Sequence, residues 1–340
     1  MKVLLIKTSS MGDVVHALPA VTDAVIANPT ISFDWVVEDS FKDIPEMHPR
    51  VNRVIPVAVR KWRKAPFKHL SEIRAALKDI KKVKYDVVID AQGLIKSAFF
   101  THYARGKKYG LSEASAREPL ASMAYDYKID VPKGLHAIER VRQLFAKSLG
   151  YDFTSSRLSY GPKKEDFIEP ALLTQPYVVF LHGTTWASKH WPIDYWKELI
   201  PIATSKGMNV YLPWGNVAEQ ERAEKLSSLS ANVHVLPSSS IKQLAEILMH
   251  ARGVVGVDSG LSHLAAACGT PAVTLYGSTS AVLTGTIGEK NKTLQANFSC
   301  SPCLRKECNY SMSTKFQPAC YQEIGYEAVW AQLEALMNDD

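Results

Sequence analysis

What this 340-residue chain lacks narrows its function before any motif is considered. No apolar run approaches the roughly 18 to 20 residues of a membrane-spanning helix. The opening run MKVLLIK is too short for a secretory core and no small-residue cleavage site follows it, so a cytoplasmic protein is expected. No G-x-G-x-x-G follows the first apolar segment, which argues against a dinucleotide dehydrogenase, and the absence of G-x-x-x-x-G-K-[ST] argues against a P-loop NTPase. An Asp-x-Asp pair for holding a divalent cation is also missing, and so are internal repeats and low-complexity tracts. Cysteine is scarce, five residues in all, yet four of them crowd into the last 41 positions.

The charge that is present is unevenly spread. The net charge of +6 divides into +9 over residues 1–160 and −3 over residues 161–340. Ten basic residues fall in 60–84, opposed by Glu72 and Asp79 alone. Such a patch suits anionic lipid headgroups, a phosphorylated acceptor or nucleic acid. Its second half, 71–82, reads equally well as a solvated helix face, whereas RKWRK around Trp62 reads as a loop that touches an anion.

The length predicts two domains. Apolar runs alternate with helical periodicity, which predicts parallel sheets. Strands are expected at 3–6, 33–37, 53–56 and 87–90, with helices at 13–27, 71–82 and 136–149. Residues 159–176, with Gly161-Pro162, Pro170 and Pro176, read as a linker. The pattern restarts with strands at 177–181, 209–212 and 233–236 and helices at 193–205, 218–227 and 241–251. The expected fold class is α/β, two Rossmann-like domains facing a central cleft.

In open parallel sheets ligands bind beyond the carboxyl ends of the strands, so the loops there are the places to look for chemistry. In 254–277, VVGVDSGLSHLAAACGTPAVTLYG, the turn Asp258-Ser259-Gly260 opens a helix and offers a phosphate site. Equally, Ser259 N-caps that helix and Gly260 permits tight packing. After the first strand, KTSSMGDVVH places Gly12 where a ligand can approach and Asp13 in a first helical turn, either facing the cleft or serving as a cap. His16 is expected to be a packed helix residue. The fourth strand ends in DAQG, followed by Lys96, within reach of a diphosphate or of Asp13, or a plain surface lysine. HGTTWASKHWP supplies Thr184, Thr185, Ser188 and Lys189 as hydroxyl and cationic contacts for a diphosphate. Glu219, beyond WGN, suits ribose hydroxyls or a helix start.

Cys300, Cys303, Cys308 and Cys320 are spaced C-x2-C-x4-C-x11-C. In a cytosolic protein this suggests a structural zinc or iron site more than disulfides, with free thiols as the other reading. Cys268 reads as a small buried hydrophobe.

Together KTSSMGDVVHALPA, IDAQGLIKSA, HGTTWASKHWP, LPWGN and VDSGLSHLAAACGTPAVTLYG resemble the lipopolysaccharide heptosyltransferases of glycosyltransferase family 9, the first motif being most like its heptosyltransferase I branch. The resemblance implies a GT-B fold with an acceptor-binding domain at 1–165, a donor-binding domain at 166–320 and a C-terminal helix in 321–340 returning to the first domain. It implies ADP-L-glycero-β-D-manno-heptose as donor and the Kdo of lipid A as acceptor. It also implies a peripheral position at the cytoplasmic face of the inner membrane, and no nucleic-acid partner. By similarity Asp13 is the general base and Lys96 lies near the reacting centre. Gly12, Thr184, Thr185, Lys189, Asp258, Ser259, Gly260 and His263 line the donor site, and Glu219 meets the ADP ribose. Arg60, Lys61, Arg63 and Lys64 meet acceptor phosphates. The cysteine-bearing tail departs towards heptosyltransferase II and the protein-modifying heptosyltransferases, so a later heptose or a protein acceptor stays open.

The implied chemistry is single-displacement inversion, in which Asp13 takes the acceptor proton. A helix start favours the charged carboxylate and weakens it as a base, which is tolerable where proton transfer is late. Lys189 and the Ser259-Gly260 helix start would meet the leaving diphosphate, so no divalent cofactor is expected for catalysis. Two other classes fit the fold. A sugar-nucleotide epimerase would act on donor alone, and a solute-binding protein would carry an export signal and no reactive carboxylate.

Overall fold

The computed structural model describes residues 1–155, 158–169 and 175–338, and divides into two compact units, Met1–Pro162 and Lys163–Asp340. That division comes three residues before the expected 165/166 boundary. Within the expected linker, Lys164–Asp166 forms a 3-10 turn, and residues 170–174 lie outside the described residues.

The first unit holds β1 (Lys2–Ile6), β2 (Ser32–Glu38), β3 (Val51–Val57), β4 (Lys84–Asp90), β5 (Arg105–Leu111) and β6 (Tyr127–Ile129). The second holds β7 (Tyr177–Leu181), β8 (Asn209–Leu212), β9 (Val233–Val235), β10 (Gly253–Val257), β11 (Ala272–Tyr276) and β12 (Asn291–Gln295). Each unit is one six-stranded sheet, ordered β3-β2-β1-β4-β5-β6 and β9-β8-β7-β10-β11-β12, and every pairing is parallel. The two orders are the same doubly wound pattern. The central strands β7, β10 and β11 are buried along their whole length, which is why they read as unbroken apolar runs: helices cover both faces of such a sheet.

Three expectations change. The single helix over 13–27 is two, Met11–Val15 and Leu18–Ala27, the second starting with Pro19 in its first turn, where a missing N–H costs nothing. Strands β5 and β6 had no apolar signature, because RGKKYGL and YKI sit towards the edge of the sheet and are largely polar. The RKWRK segment is a helix, Val59–Lys64, rather than a loop. Its start is held by the buried Glu38 carboxylate, which accepts from the Val59 and Arg60 amides at 3.2 and 3.1 Å.

The C-terminal helix, Tyr326–Asn338, packs into the second unit. Val329, Trp330, Leu333 and Met337 join the core made by β7, β8, β10 and β11. Gly253 on β10 makes room for them, since a Cβ there would lie 2.9 Å from Leu333 Cδ1 and 3.0 Å from Met337 Sδ.

Candidate functional site

In each sheet the strand order reverses between two neighbours, β1 and β4 in the first and β7 and β10 in the second. Ligands of doubly wound sheets bind outside the carboxyl ends of such a pair. The candidate residues after β1, β4, β7 and β10 all sit at these two points.

At the first, Asp13 is the third residue of the helix Met11–Val15 and its Oδ2 accepts from the Ser10 amide at 2.8 Å and the Ser10 hydroxyl at 3.1 Å, a reciprocal cap. Its other oxygen lies 4.0 Å from the Lys7 amine, and the side chain remains 38% exposed. One carboxylate edge is thus anchored and the group stays open to an incoming hydroxyl. Gly12 is in the same turn, its carbonyl accepting from the His16 amide at 2.9 Å. Lys96 is half-buried and donates to the Ser9 hydroxyl; burial lowers its pKa, Glu38 and Asp13 oppose that, and Arg60 and Arg63 reinforce it.

Three residues that the sequence reading missed build this loop. Lys7 is buried at the end of β1, donates to the Ala91 carbonyl at 2.9 Å, and has its pKa lowered by burial against the pull of Asp13 and Asp90. Gln92 Oε1 accepts from the Thr8 and Ser9 amides at 3.0 and 3.1 Å, tying the loops after β1 and β4 together. Asp90 accepts from the amides of Gln92 and Gly93 and from the Tyr125 hydroxyl at 2.8 Å, and burial raises its pKa. Each makes contacts to segments distant in sequence, which no local pattern announces.

The cations of the helix Val59–Lys64 do not act alike. Lys61 is engaged by Glu72 at 2.9 Å, a carboxylate that also accepts from the Trp62 indole at 3.0 Å, and these bonds hold Glu72 down to about 2. Trp62 turns into the core. Arg60 lies 5.6 Å from the Phe41 ring centre, and Arg60 and Arg63 are the two that reach Lys96 electrostatically; Lys64 is exposed.

At the second point, Asp258 is buried after β10 and its Oδ2 lies 2.7 Å from the Lys189 amine and accepts from the Thr279 hydroxyl at 2.6 Å. His263 Nε2 stands 3.9 Å from Oδ1. Thr184 donates to the Asp258 carbonyl at 3.0 Å, while Thr185 is exposed. Ser259 caps the helix Gly260–Ala267 by accepting from the Ser262 amide at 3.4 Å, so both readings of this turn hold: it is a cap, and the orphan amides of the helix start are available to an anion. Lys189 also lies 4.7 Å from the Trp186 ring centre. Glu219 accepts from the Gly215 amide at 2.8 Å and lies flat against Gly183, where a Cβ would come within 2.6 Å of its Cδ. Behind them His182 is fully buried with neither ring nitrogen partnered among the described residues, and burial takes it down to about 4, with Arg222 and His190 adding to the shift.

Among the described residues no three His, Cys, Asp or Glu side chains stand close enough to share a metal ion. The four C-terminal cysteines instead line one cavity of about 470 Å3. All five cysteines are free, and burial pushes the Cys320 thiol up to about 12. No helix among the described residues is long and apolar enough to cross a membrane.

Comparison with known proteins agrees with this geometry. The model of glycosyltransferase family 9 (heptosyltransferase) matches residues 73–313. Lipopolysaccharide heptosyltransferase 1 of Pseudomonas aeruginosa is 47% identical over 99% of this chain and 98% of its own length. Among solved structures, the E. coli heptosyltransferase WaaC with ADP is 43% identical with a TM-score of 0.88, covering 99% of this chain and 100% of that one. The same enzyme with ADP-2-deoxy-2-fluoro heptose is 42% identical with a TM-score of 0.84, covering 98% of this chain and 99% of that one. Two Rossmann-like sheets of one strand order, with polar loops gathered at both reversal points, place the chain in the GT-B class, and it belongs to glycosyltransferase family 9, the heptosyltransferases.

Proposed function

We propose that Asp13 is the general base of an inverting transfer of L-glycero-D-manno-heptose from ADP-heptose to the Kdo of the lipopolysaccharide inner core. Heptose transfer to that core is the activity of this enzyme, given its full-length likeness to lipopolysaccharide heptosyltransferase 1. The base assignment rests on one observation: Asp13 is anchored through a single oxygen and remains open on the other side. As the sugar–diphosphate bond breaks, the acceptor hydroxyl grows acidic and its proton passes to Asp13. Lys96, beside Ser9, lends positive charge near that carboxylate. In the second unit Lys189, the Ser259-Gly260 helix start and Thr184 take the diphosphate, with Asp258 and His263 positioning the amine and Glu219 meeting the ribose. Because fixed cationic and amide groups meet the leaving charge, catalysis needs no divalent cation, and Mg2+ or Mn2+ leaves the rate unchanged.

The lipid-bound acceptor puts the first unit at the cytoplasmic face of the inner membrane. The exposed Phe67 beside Lys64 and Lys68 suits that position. Asp13→Ala is expected to lower kcat by roughly 10^2 to 10^4 while ADP-heptose binding, followed by calorimetry, stays within about twofold. Near-normal turnover in that variant would remove Asp13 from the role.

A further inference from the structure

Exposed apolar side chains of the first unit gather on two adjoining elements. On the helix Ile95–Tyr103, Ile95 and Phe99 stand one turn apart, 54% and 43% exposed, and Phe99 lies 5.1 Å from the Tyr103 ring centre. On the 3-10 helix Pro119–Ala124, Leu120 and Met123 are spaced to share a face, 66% and 78% exposed. The two elements are fastened together. The Glu118 carboxylate accepts from the Ile95 amide at 2.7 Å and the Glu118 amide donates to the Gly93 carbonyl at 3.1 Å, while Ala98 and Ala121 pack in one small core with Tyr125. Apolar residues exposed singly are ordinary; a braced ridge of them marks a contact surface.

A strongly basic helix, Leu70–Lys82, borders the ridge. Its Lys81 amine lies 4.5 Å from the Tyr103 ring centre, so the two helices meet beside Phe99. The acids of that helix are already engaged, Glu72 by Lys61 at 2.9 Å and Asp79 by Arg53 at 2.7 Å. Arg74, Lys78 and Lys82 therefore leave its exposed side positive. A two-fold contact with a second copy would set this helix against itself, whereas anionic headgroups neutralise it.

We propose that the ridge of Ile95, Phe99, Leu120 and Met123 inserts among the acyl chains of an anionic bilayer while Arg74, Lys78 and Lys82 meet the headgroup phosphates. The choice of a bilayer as partner rests on the lipid-bound acceptor of the proposed function; the ridge and its basic border do not. Lys96 follows Ile95 directly, so insertion holds the end of the loop after β4 at the membrane surface, where a membrane-borne sugar is presented. The surface thus sets the acceptor KM on a membrane and leaves the chemical step alone.

The test is flotation of the full-length chain, without donor or acceptor, on vesicles of phosphatidylethanolamine and phosphatidylglycerol and on vesicles of phosphatidylcholine. Binding to the anionic vesicles should be at least about tenfold tighter than to the neutral ones and should weaken as salt rises. Leu120→Asn combined with Met123→Asn should lower the partition about tenfold or more, and Met123→Trp should raise it, a gain that misfolding cannot mimic. Arg74→Gln combined with Lys78→Gln should lower it about tenfold on anionic vesicles alone. The Asn pair should also raise the KM for Kdo-lipid A embedded in vesicles by about tenfold, with kcat and KM unchanged for the deacylated, water-soluble acceptor. Equal partition of the parent and the Asn pair overturns the proposal, as does a dimer that the Asn pair abolishes. A raised KM for the deacylated acceptor in the Asn pair assigns the ridge to the sugar site and overturns it too. Vesicle binding with no turnover on either acceptor instead breaks the heptose-transfer reading and supports the docking surface.

Discussion

The two units share one strand order and differ in what they place at its reversal point. In the first, Asp13 sits on a one-turn helix, partly exposed, with Lys7 and Lys96 half or fully buried beneath it. In the second, the opposite charges are already paired: Lys189 and Asp258 meet at 2.7 Å, with Thr279 completing the contact. An open carboxylate can accept a proton, whereas a closed ion pair next to free helix amides can only position a cation for an anion. Under the proposed function the same sheet would serve proton transfer in one unit and charge neutralisation in the other, with the loops deciding which.

Removing one partner of the pair should break this contrast most strongly. Lys189→Met leaves Asp258 buried with hydroxyl and imidazole neighbours, and a loss of about 3 to 5 kcal/mol in stability is expected, along with a donor KM raised at least about tenfold. The double variant Lys189→Met with Asp258→Asn should recover most of the stability and none of the donor affinity. Chemical denaturation of the three variants checks this, and equal stability of single and double variants would show that the pair is not closed in solution.

Acid should sharpen the comparison to a smaller extent. His182 and His190 in the second unit and His48 in the first are each brought down to about 4 by burial. A neutral folded histidine whose unfolded form titrates near 6.5 gives stability that is complete above the unfolded value. That stability is lost between about 6.5 and 4, as the unfolded chain takes up protons first. Two of the three groups lie in the second unit, so its melting temperature should fall further than that of the first as the pH falls from about 7 to 5. Calorimetry over that range checks it; a melting profile that does not move with pH contradicts the burial of these rings.

The smallest effect is expected on the basic helix. Arg60→Gln and Arg63→Gln should each raise the acceptor KM by roughly three- to tenfold, and Lys61→Gln by less than about twofold, because Glu72 already engages Lys61. Equal effects at all three positions would return the helix to ordinary solvated surface.

Much of this was legible in the chain. Unbroken apolar strands such as GVVGV and YVVFL need no context, and the small polar segments after the strands put Lys189 and Asp258 just beyond strand ends and Asp13 and Glu219 in first helical turns, where they lie. The rest depends on distance. Lys7 and Gln92 act through partners more than eighty positions away, and the helix at RKWRK exists because Glu38, some twenty residues earlier, satisfies its first amides. The packing of the C-terminal helix was not legible because an amphipathic pattern shows that a face must be covered and not by what; Gly253 supplies the answer.

That last helix also sets a timetable. The core of the second unit runs from Val178 to Met337, and the indole of Trp191 donates to the Ile324 carbonyl at 3.0 Å. During synthesis the first unit has its whole sheet once residue 162 has left the ribosome, whereas the second cannot close its core until residues 326–338 have emerged as well. A premature stop before residue 326 would therefore release a folded first unit attached to a sheet with part of its apolar face bare.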